Sequence, residues 1–183
     1  ALALDLASVP PGTKEPYVAP NVIISIDDSG SMKFRLNETT DTPAANGGII
    51  APDPLTGVWD VSAPRINILK YALKQVFSDT DLLPDKKIRL AWQSMWNNGK
   101  SPGVGSVNNI LWTDGATYTS NAGANNVIST GIGVNSMRPL QGGVATTGTH
   151  RKNFLDFVNG LVPLSGTPSH LMFRQADGYM RQP

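Results

Sequence analysis

One short run of the sequence carries oxygen ligands at regular spacing. Asp27, Ser29 and Ser31 alternate in the stretch Asp27-Asp-Ser-Gly-Ser31, so a tight turn there can direct a carboxylate and two hydroxyls towards one point. Gly30 lets the backbone bend sharply within that turn. These are hard oxygen donors, which suit Mg²⁺, Ca²⁺ or Mn²⁺ better than zinc or copper. Because the set holds a single carboxylate, we expect a weak site that keeps water and leaves a coordination position for an acidic partner.

The same residues also fit a simpler interpretation. Asp and Ser often form polar turns that cap a helix, and on the pattern alone this reading is as good as the metal site. Asp28 is a further candidate ligand, directly or through water, although neighbouring side chains at a strand end diverge. His150 and His170 are the only histidines, and there is no serine nucleophile motif to accompany them. A metal-assisted hydrolase is disfavoured because one carboxylate cannot both bind the ion and act as a general base. We therefore expect no enzyme activity.

The elements around this run predict an α/β fold. Residues 21–26 form an apolar, β-branched run that ends at Asp27, which is typical of a strand buried in a parallel sheet. Apolar residues recur at helical spacing over 65–77, and residues 88–95 have the alternation of a strand. A strand, a helix and a second strand make a βαβ unit. Functional groups in such sheets lie on loops beyond the carboxyl ends of the strands, where Asp27 falls.

The remaining sequence is divided between helices and polar insertions. We expect an amphipathic helix over 150–161 and a third helix from 169 to 180. Residues 1–20 are an extended lead-in, and 21–183 form one domain with insertions at about 37–64 and 97–149. A structureless loop of the second length is improbable, so we expect it to form an external insertion with a hairpin. The strands of that hairpin are predicted at 109–113 and 116–119, with Asp114-Gly115 as the turn.

The run from Asn21 to Met32 resembles the first motif of the metal-ion-dependent adhesion site in von Willebrand factor A domains. Pro20-Asn21 and the phrase Met95-Trp-Asn-Asn98 resemble, more narrowly, the N-terminal domain of type IV pilus tip-associated proteins of the PilC/PilY kind. By this resemblance Asp27, Ser29 and Ser31 match the metal positions of the first motif. Thr167, within Ser165-Gly-Thr-Pro168, matches the threonine of the second motif.

The resemblance implies both a fold and a function. The fold would be Rossmann-like, with a central, mostly parallel sheet flanked by helices. The function would be adhesion at the tip of a type IV pilus through bound Mg²⁺ or Ca²⁺, together with support of pilus biogenesis. Implied partners are minor pilins or other pilus-tip subunits, and a host or surface receptor offering a carboxylate. The protein would be extracellular, exported through the periplasm to the cell surface. The alternative is a structural or mechanosensing pilus-assembly subunit without a functional metal site.

The sequence departs from this family at the third motif. An aspartate at the end of a later strand should follow Thr167, and the sequence stops at Pro183. Asp114-Gly115 precedes Thr167 and has no crossover helix before it, while Asp177-Gly178 is predicted to end a helix. The site is therefore expected to be either incomplete or completed by later chain, and the simplest expectation is the N-terminal portion of a larger protein.

Composition narrows the class of protein. The 183 residues suit one domain, and the absence of cysteine excludes thiol chemistry and disulfides. A net charge of +1 argues against nucleic-acid binding, and no apolar run approaches the length of a membrane span. Few charges (16%), 18 Gly and 14 Pro favour a secreted bacterial surface protein, and a start at Ala1 fits removal of a signal peptide. We expect Trp92 to lie in the core. The other tryptophans lie in or beside the insertions; exposed, they would anchor a receptor or sibling subunit, but we expect them to be buried in small cores of the insertions (Trp59, Trp96, Trp112).

Overall fold

The computed structural model describes residues 17–36, 49–95, 110–112, 118–120, 135–163, 166–167 and 169–181. A four-residue 3₁₀ helix, Gly30–Lys33, follows the first strand. None of the described helices is long and apolar enough to cross a lipid bilayer. Along the chain the strands and helices are β1 (Asn21–Ile26), α1 (Arg65–Ser78), β2 (Arg89–Ser94), β3 (Ile110–Trp112), β4 (Tyr118–Ser120), β5 (Arg138–Pro139), α2 (His150–Gly160) and α3 (Ser169–Met180).

A small mixed sheet of three strands forms the centre. β1 and β2 are parallel and pair from Asn21 opposite Arg89 to Ile26 opposite Ser94. β5 is antiparallel to β2, which makes β2 the central strand. Parallel neighbours need a crossover connection, and α1 provides it, so the predicted βαβ unit is confirmed. The expectation of a mostly parallel sheet is not met among the described strands, because one pair is parallel and the other antiparallel.

The main hydrophobic core lies on one face of the sheet. Leu90 and Trp92, at alternate positions of β2, are almost fully buried there. Phe77 of α1 and Phe154 of α2 pack together with ring centroids 4.5 Å apart, and Phe154 lies 5.3 Å from Trp92. Both helices therefore cover the same face, and the predicted core position of Trp92 is confirmed.

The third helix covers the opposite face. Gln93 alternates with Trp92 along β2 and is fully buried. Its Nε2 donates to the carbonyl oxygen of Met172 in α3 at 2.8 Å and to Ser25 Oγ of β1 at 2.8 Å. The sheet is thus sandwiched between α1 and α2 on one side and α3 on the other, an α/β arrangement as predicted.

The sequence located most of these elements to within one residue at each end. The hairpin is also confirmed, since β3 and β4 pair antiparallel; its turn, with Asp114 and Gly115, lies outside the described residues. Residues 49–64 contain no helix or strand, as predicted, and 1–16 and 37–48 lie outside the description. The predicted external insertion at 97–149 is wrong for its last part: β5 belongs to the main sheet, and Leu140 is fully buried in the core.

The tryptophans of the predicted insertions are only partly described. Trp59 is half-buried, and its ring meets Tyr71 edge-on with centroids 5.4 Å apart. This contact holds the 49–64 segment against α1. Trp96 and the side chain of Trp112 lie outside the described residues.

The buried guanidinium of Arg151 joins three segments. It donates from Nη1 to the carbonyl oxygen of Phe77 at 2.9 Å, in the last turn of α1, where carbonyls have no partner within the helix. Nη2 donates to Leu83 O at 2.8 Å and to Asp85 Oδ1 at 2.9 Å, and Nε donates to Gly142 O at 3.1 Å. The hydrogen bonds from Arg151 and from the Gly142 amide hold the pKa of the Asp85 carboxyl below its ordinary value.

Replacing Arg151 by methionine is expected to lower the free energy of unfolding by about 3–5 kcal/mol, because three carbonyl oxygens and a carboxylate lose their common donor. Urea denaturation followed by circular dichroism measures the change. Arg181→Met is the matched control, since Arg181 pairs with Asp177 on the surface and such pairs contribute little. Equal midpoints for the two variants would contradict a structural role for Arg151.

His150, the first residue of α2, is held in the core as a neutral imidazole. Its Nε2 lies 2.7 Å from the carbonyl oxygen of Leu90, and because a carbonyl only accepts, Nε2 carries the proton. The ring centroid lies 4.9 Å from that of Trp92. Burial lowers the pKa of His150 to about 4, and the positive charge of Arg138 acts in the same direction.

The free energy of unfolding is therefore expected to fall as the pH drops from about 6.5 to about 4. In that window the unfolded chain binds a proton at position 150 and the folded chain does not, so acid favours unfolding. The loss is at most about 3 kcal/mol, measured by thermal melts at stepped pH. His150→Gln should reduce the dependence of the free energy of unfolding on pH between 6.5 and 4. An unchanged pH dependence in that variant would show that His150 is not its source.

Candidate functional site

The turn after β1 gathers the first three predicted site residues. β1 ends at the buried Ile26, and the chain then enters the 3₁₀ helix Gly30–Lys33. Asp27 Oδ1 accepts a hydrogen bond from the backbone N–H of Ser29 at 2.9 Å. This local bond is typical of aspartate in turns, and it folds the Asp27 carboxylate back over the start of the 3₁₀ helix.

The two serine hydroxyls lie side by side. Ser29 Oγ and Ser31 Oγ are 3.2 Å apart, and Ser29 is fully buried. Two oxygens bound at right angles to one ion lie about 2.9 Å apart for Mg²⁺ and about 3.3 Å or more for Ca²⁺, given their usual bond lengths. The observed separation falls between these values. In this structure the two hydroxyls are hydrogen-bonded to each other, and their separation is close to the spacing that a hard divalent cation would need, with Asp27 as the adjacent carboxylate.

Asp27 and Asp28 have different surroundings. Asp28 is fully buried and interacts with other groups of the protein, whereas Asp27 is only half-buried. This agrees with the expectation that neighbouring side chains at the strand end diverge. Asp27, and not Asp28, is therefore the carboxylate that we place in the candidate site.

Thr167 lies at the start of the segment that leads into α3. It is exposed, and its carbonyl oxygen accepts from the backbone N–H of Ser169 at 2.9 Å. No hydrogen bond between described residues joins its side chain to the turn after β1. The link to that turn is indirect: α3 is fixed to the sheet through Gln93, whose amide also binds Ser25, two residues before Asp27. The structure thus brings together three of the four predicted ligands by direct contact and places the fourth next to a helix that packs on β1.

Gln93 is a supporting residue that the sequence analysis did not single out. It occupies a fully buried position of the central strand, and its Nε2 bridges β1 and α3. A buried amide is costly unless it is hydrogen-bonded. The sequence signal that could have identified it is a glutamine in the middle of a predicted strand whose neighbours Ala91 and Trp92 are apolar.

Neither aspartate-glycine pair supplies a third motif within the described residues. Asp177 and Gly178 fall in the last turn of α3, and Asp177 accepts from Arg181 Nε with both carboxylate oxygens, at 2.8 and 2.9 Å. The prediction of a helix end there is confirmed. Asp114 lies outside the described residues, between the two hairpin strands.

Other metal and catalytic candidates are weaker in the part of the chain that the structure describes. No group of three or more histidine or carboxylate side chains is placed to hold an ion there. His170 is exposed on α3, and His150 is enclosed in the core. The candidate site after β1 differs from such clusters because it relies on hydroxyl groups for two of its donors.

Compared with known proteins, the chain matches no family model, no curated protein and no solved structure. The resemblance to von Willebrand factor A domains therefore depends on the residues of the sequence motifs alone.

Replacing Gln93 by leucine is expected to loosen α3, because Met172 O and Ser25 Oγ lose a buried donor at a cost of about 1–3 kcal/mol. Hydrogen exchange read by NMR should then be about tenfold faster or more for amides of α3. Gln141→Leu, on an exposed loop, is the control. Unchanged exchange in α3 would show that other contacts hold this helix.

Proposed function

We propose that this protein is a von Willebrand factor A-like binding module of Rossmann-like fold that uses a divalent-metal adhesion site, as part of a type IV pilus tip adhesin that also supports pilus biogenesis. The observation that carries the proposal is the 3.2 Å separation of Ser29 Oγ and Ser31 Oγ beside the Asp27 carboxylate, at the carboxyl end of β1. Asp27, Ser29, Ser31 and Thr167 would hold the ion, partly through water.

The donor set explains why such a site would bind a partner and not catalyse a reaction. A bound Mg²⁺ or Ca²⁺ would supply positive charge and a coordination position for a partner's carboxylate. One carboxylate and neutral hydroxyls leave half of the charge of a divalent ion uncompensated, which favours an acidic partner. The same set has no second carboxylate to serve as a positioned base, so we propose no enzymatic role.

The fold gives this site a rigid support. The βαβ unit fixes the carboxyl end of β1 level with that of β2, and open α/β sheets bind ligands at this edge. Helices on both faces keep the strand ends in place. The low charge content of the chain supports an extracellular location. The partners that we propose, namely minor pilins, other tip subunits or a surface receptor, are those that the motif resemblance implies. The alternative is a pilus-assembly subunit without a metal site. The following experiment distinguishes it from the metal-dependent adhesion module.

Titration with MgCl₂ or CaCl₂ is expected to raise the melting temperature. Binding to the folded state alone stabilises it by about 2.7 kcal/mol at a hundredfold excess over Kd, which corresponds to about 5–10 °C for a chain of this size. Asp27→Asn should abolish the increase, because it removes the ligand charge while an amide oxygen can still accept from the Ser29 N–H. Differential scanning calorimetry measures both.

Asp53→Asn is the matched control for this experiment. Asp53 closes a similar turn by accepting from the backbone N–H groups of Leu55 and Thr56, in an exposed loop outside the candidate site. Its variant should respond to the metal as the parent protein does. A melting temperature that does not change with either ion, or an equal response from the Asp27 and Asp53 variants, would favour the structural subunit.

A further inference from the structure

A second candidate site lies where α1, the end of α2 and the segment around Ile50 meet. A cleft of about 250 Å³ opens there. It suits a small molecule, since clefts for drug-sized ligands begin at about 300 Å³. None of its lining residues belongs to the candidate cation site. Within the described part of the chain, these residues are Ile50, Asn67, Lys70, Tyr71, Lys74 and Asn159.

Two lysines of α1 give this cleft its charge. Lys70 and Lys74 are four residues apart on the helix, so their side chains lie on the same face. Among the described residues, neither lysine takes part in an ion pair and no lining residue is acidic. The two positive charges therefore repel each other without a carboxylate to compensate them.

The ammonium group of Lys70 lies at the wall of the cleft. Its Nζ donates to the carbonyl oxygen of Asn159 at 3.0 Å, and both residues line the cleft. Asn159 is in the last turn of α2, where carbonyls have no partner within the helix. Such a helix end carries about half of a negative charge, which offsets about a quarter of the charge of two lysines. The cleft thus remains positive.

The state of Lys70 reflects this uncompensated charge. Burial lowers the pKa of Lys70, and the positive charge of Lys74 acts in the same direction. Both effects disfavour the charged form of the amine. An anion placed between the two lysines would favour that form, so binding of an anion and protonation of Lys70 would support each other.

Tyr71 and Ile50 add apolar surface to the lining, and both are held in place. The ring of Tyr71 meets that of Trp59 edge-on, with centroids 5.4 Å apart. Asn67 Nδ2 donates to Ile49 O at 3.1 Å, which fixes the segment carrying Ile50 against the first turn of α1. A cleft whose walls are already in position loses little entropy when a ligand enters.

We propose that this cleft binds a small phosphate monoester. Its phosphate would lie between the ammonium groups of Lys70 and Lys74, and its carbon part would contact Tyr71 and Ile50. A monoester carries a charge of about −1.5 to −2 at pH 7, which matches two lysines better than the single charge of a carboxylate does, and lysine binds phosphate as a point charge. The site is independent of the proposed cation site, because it shares no residue with it.

Isothermal titration calorimetry with phenyl phosphate, benzoate and inorganic phosphate tests the proposal. The buffer contains no divalent cation and is kept at about pH 7.5, where phenyl phosphate is mostly doubly charged. Phenyl phosphate should bind about tenfold more tightly than benzoate, which has the same ring and one charge. It should also bind more tightly than inorganic phosphate, which has no apolar part. Equal affinities for phenyl phosphate and benzoate would overturn the proposal.

The two lysines are tested by Lys70→Met and Lys74→Gln. Each variant should weaken phenyl phosphate about fivefold or more, because it removes one of the two charges that face the phosphate. Lys74 is exposed, so its variant is informative even if Lys70→Met does not fold. Lys87→Gln is the control, since Lys87 is exposed in the turn before β2 and does not line the cleft. Equal affinities of the Lys74 and Lys87 variants would overturn the proposal.

The pKa of Lys70 gives a readout that a change in overall charge would not move. It is followed by NMR of protein with ¹³C at the lysine Cε positions, with and without saturating phenyl phosphate. A tenfold preference of the ligand for the charged amine raises this pKa by about one unit. A pKa of Lys70 that does not change when phenyl phosphate binds would place the ligand elsewhere and overturn the proposal.

Discussion

The parallel pairing of β1 with β2 is the constraint on which the rest of the structure depends. Two parallel neighbours cannot be joined by a tight turn, so the chain must cross over, and α1 makes that crossing along one face of the sheet. Because the six pairs are in register, both strands end at the same level, with Ile26 opposite Ser94. The turn that begins at Asp27 is thereby set at an edge supported from both faces. A one-residue slip would turn every side chain of β1 to the opposite face of the sheet and so against the wrong helices.

The sequence pattern within a short stretch was sufficient to predict β1, α1 and α2. The apolar run before Asp27 and the helical spacing after Arg65 each specify an element within a short stretch of sequence, as do the apolar residues around Phe154. β5 could not be recognised in this way. It has two residues, Arg138 and Pro139, with no alternation of polar and apolar side chains, and it exists only because β2 offers a free edge to a distant segment.

The residues of the candidate site also differ in whether local sequence or distant segments determine their positions. Asp27, Ser29 and Ser31 are close in sequence, and the turn that joins them follows from a local hydrogen bond, so their approach could be predicted. The hydrogen bonds of the polar groups inside the protein could not be predicted from sequence. The Nε2 of Gln93 is bound by Ser25 Oγ and by the carbonyl oxygen of Met172, on two elements remote from it in sequence, whereas its buried Oε1 has no partner among the described residues. A glutamine at that position destabilises the fold if it is buried without hydrogen-bond partners and links two elements if it has them. Which of these applies depends on residues that are distant in sequence.

The many bonds of Arg151 also govern how this end of the molecule opens. One guanidinium binds the last turn of α1, the segment carrying Leu83 and Asp85, and the backbone at Gly142. None of these three segments can separate from it without leaving a buried cation short of acceptors, which makes each partial opening costly. We therefore expect the last turn of α1 and the loops that carry Leu83, Asp85 and Gly142 to open together in rare events, as one cooperative unit, and not to fray separately.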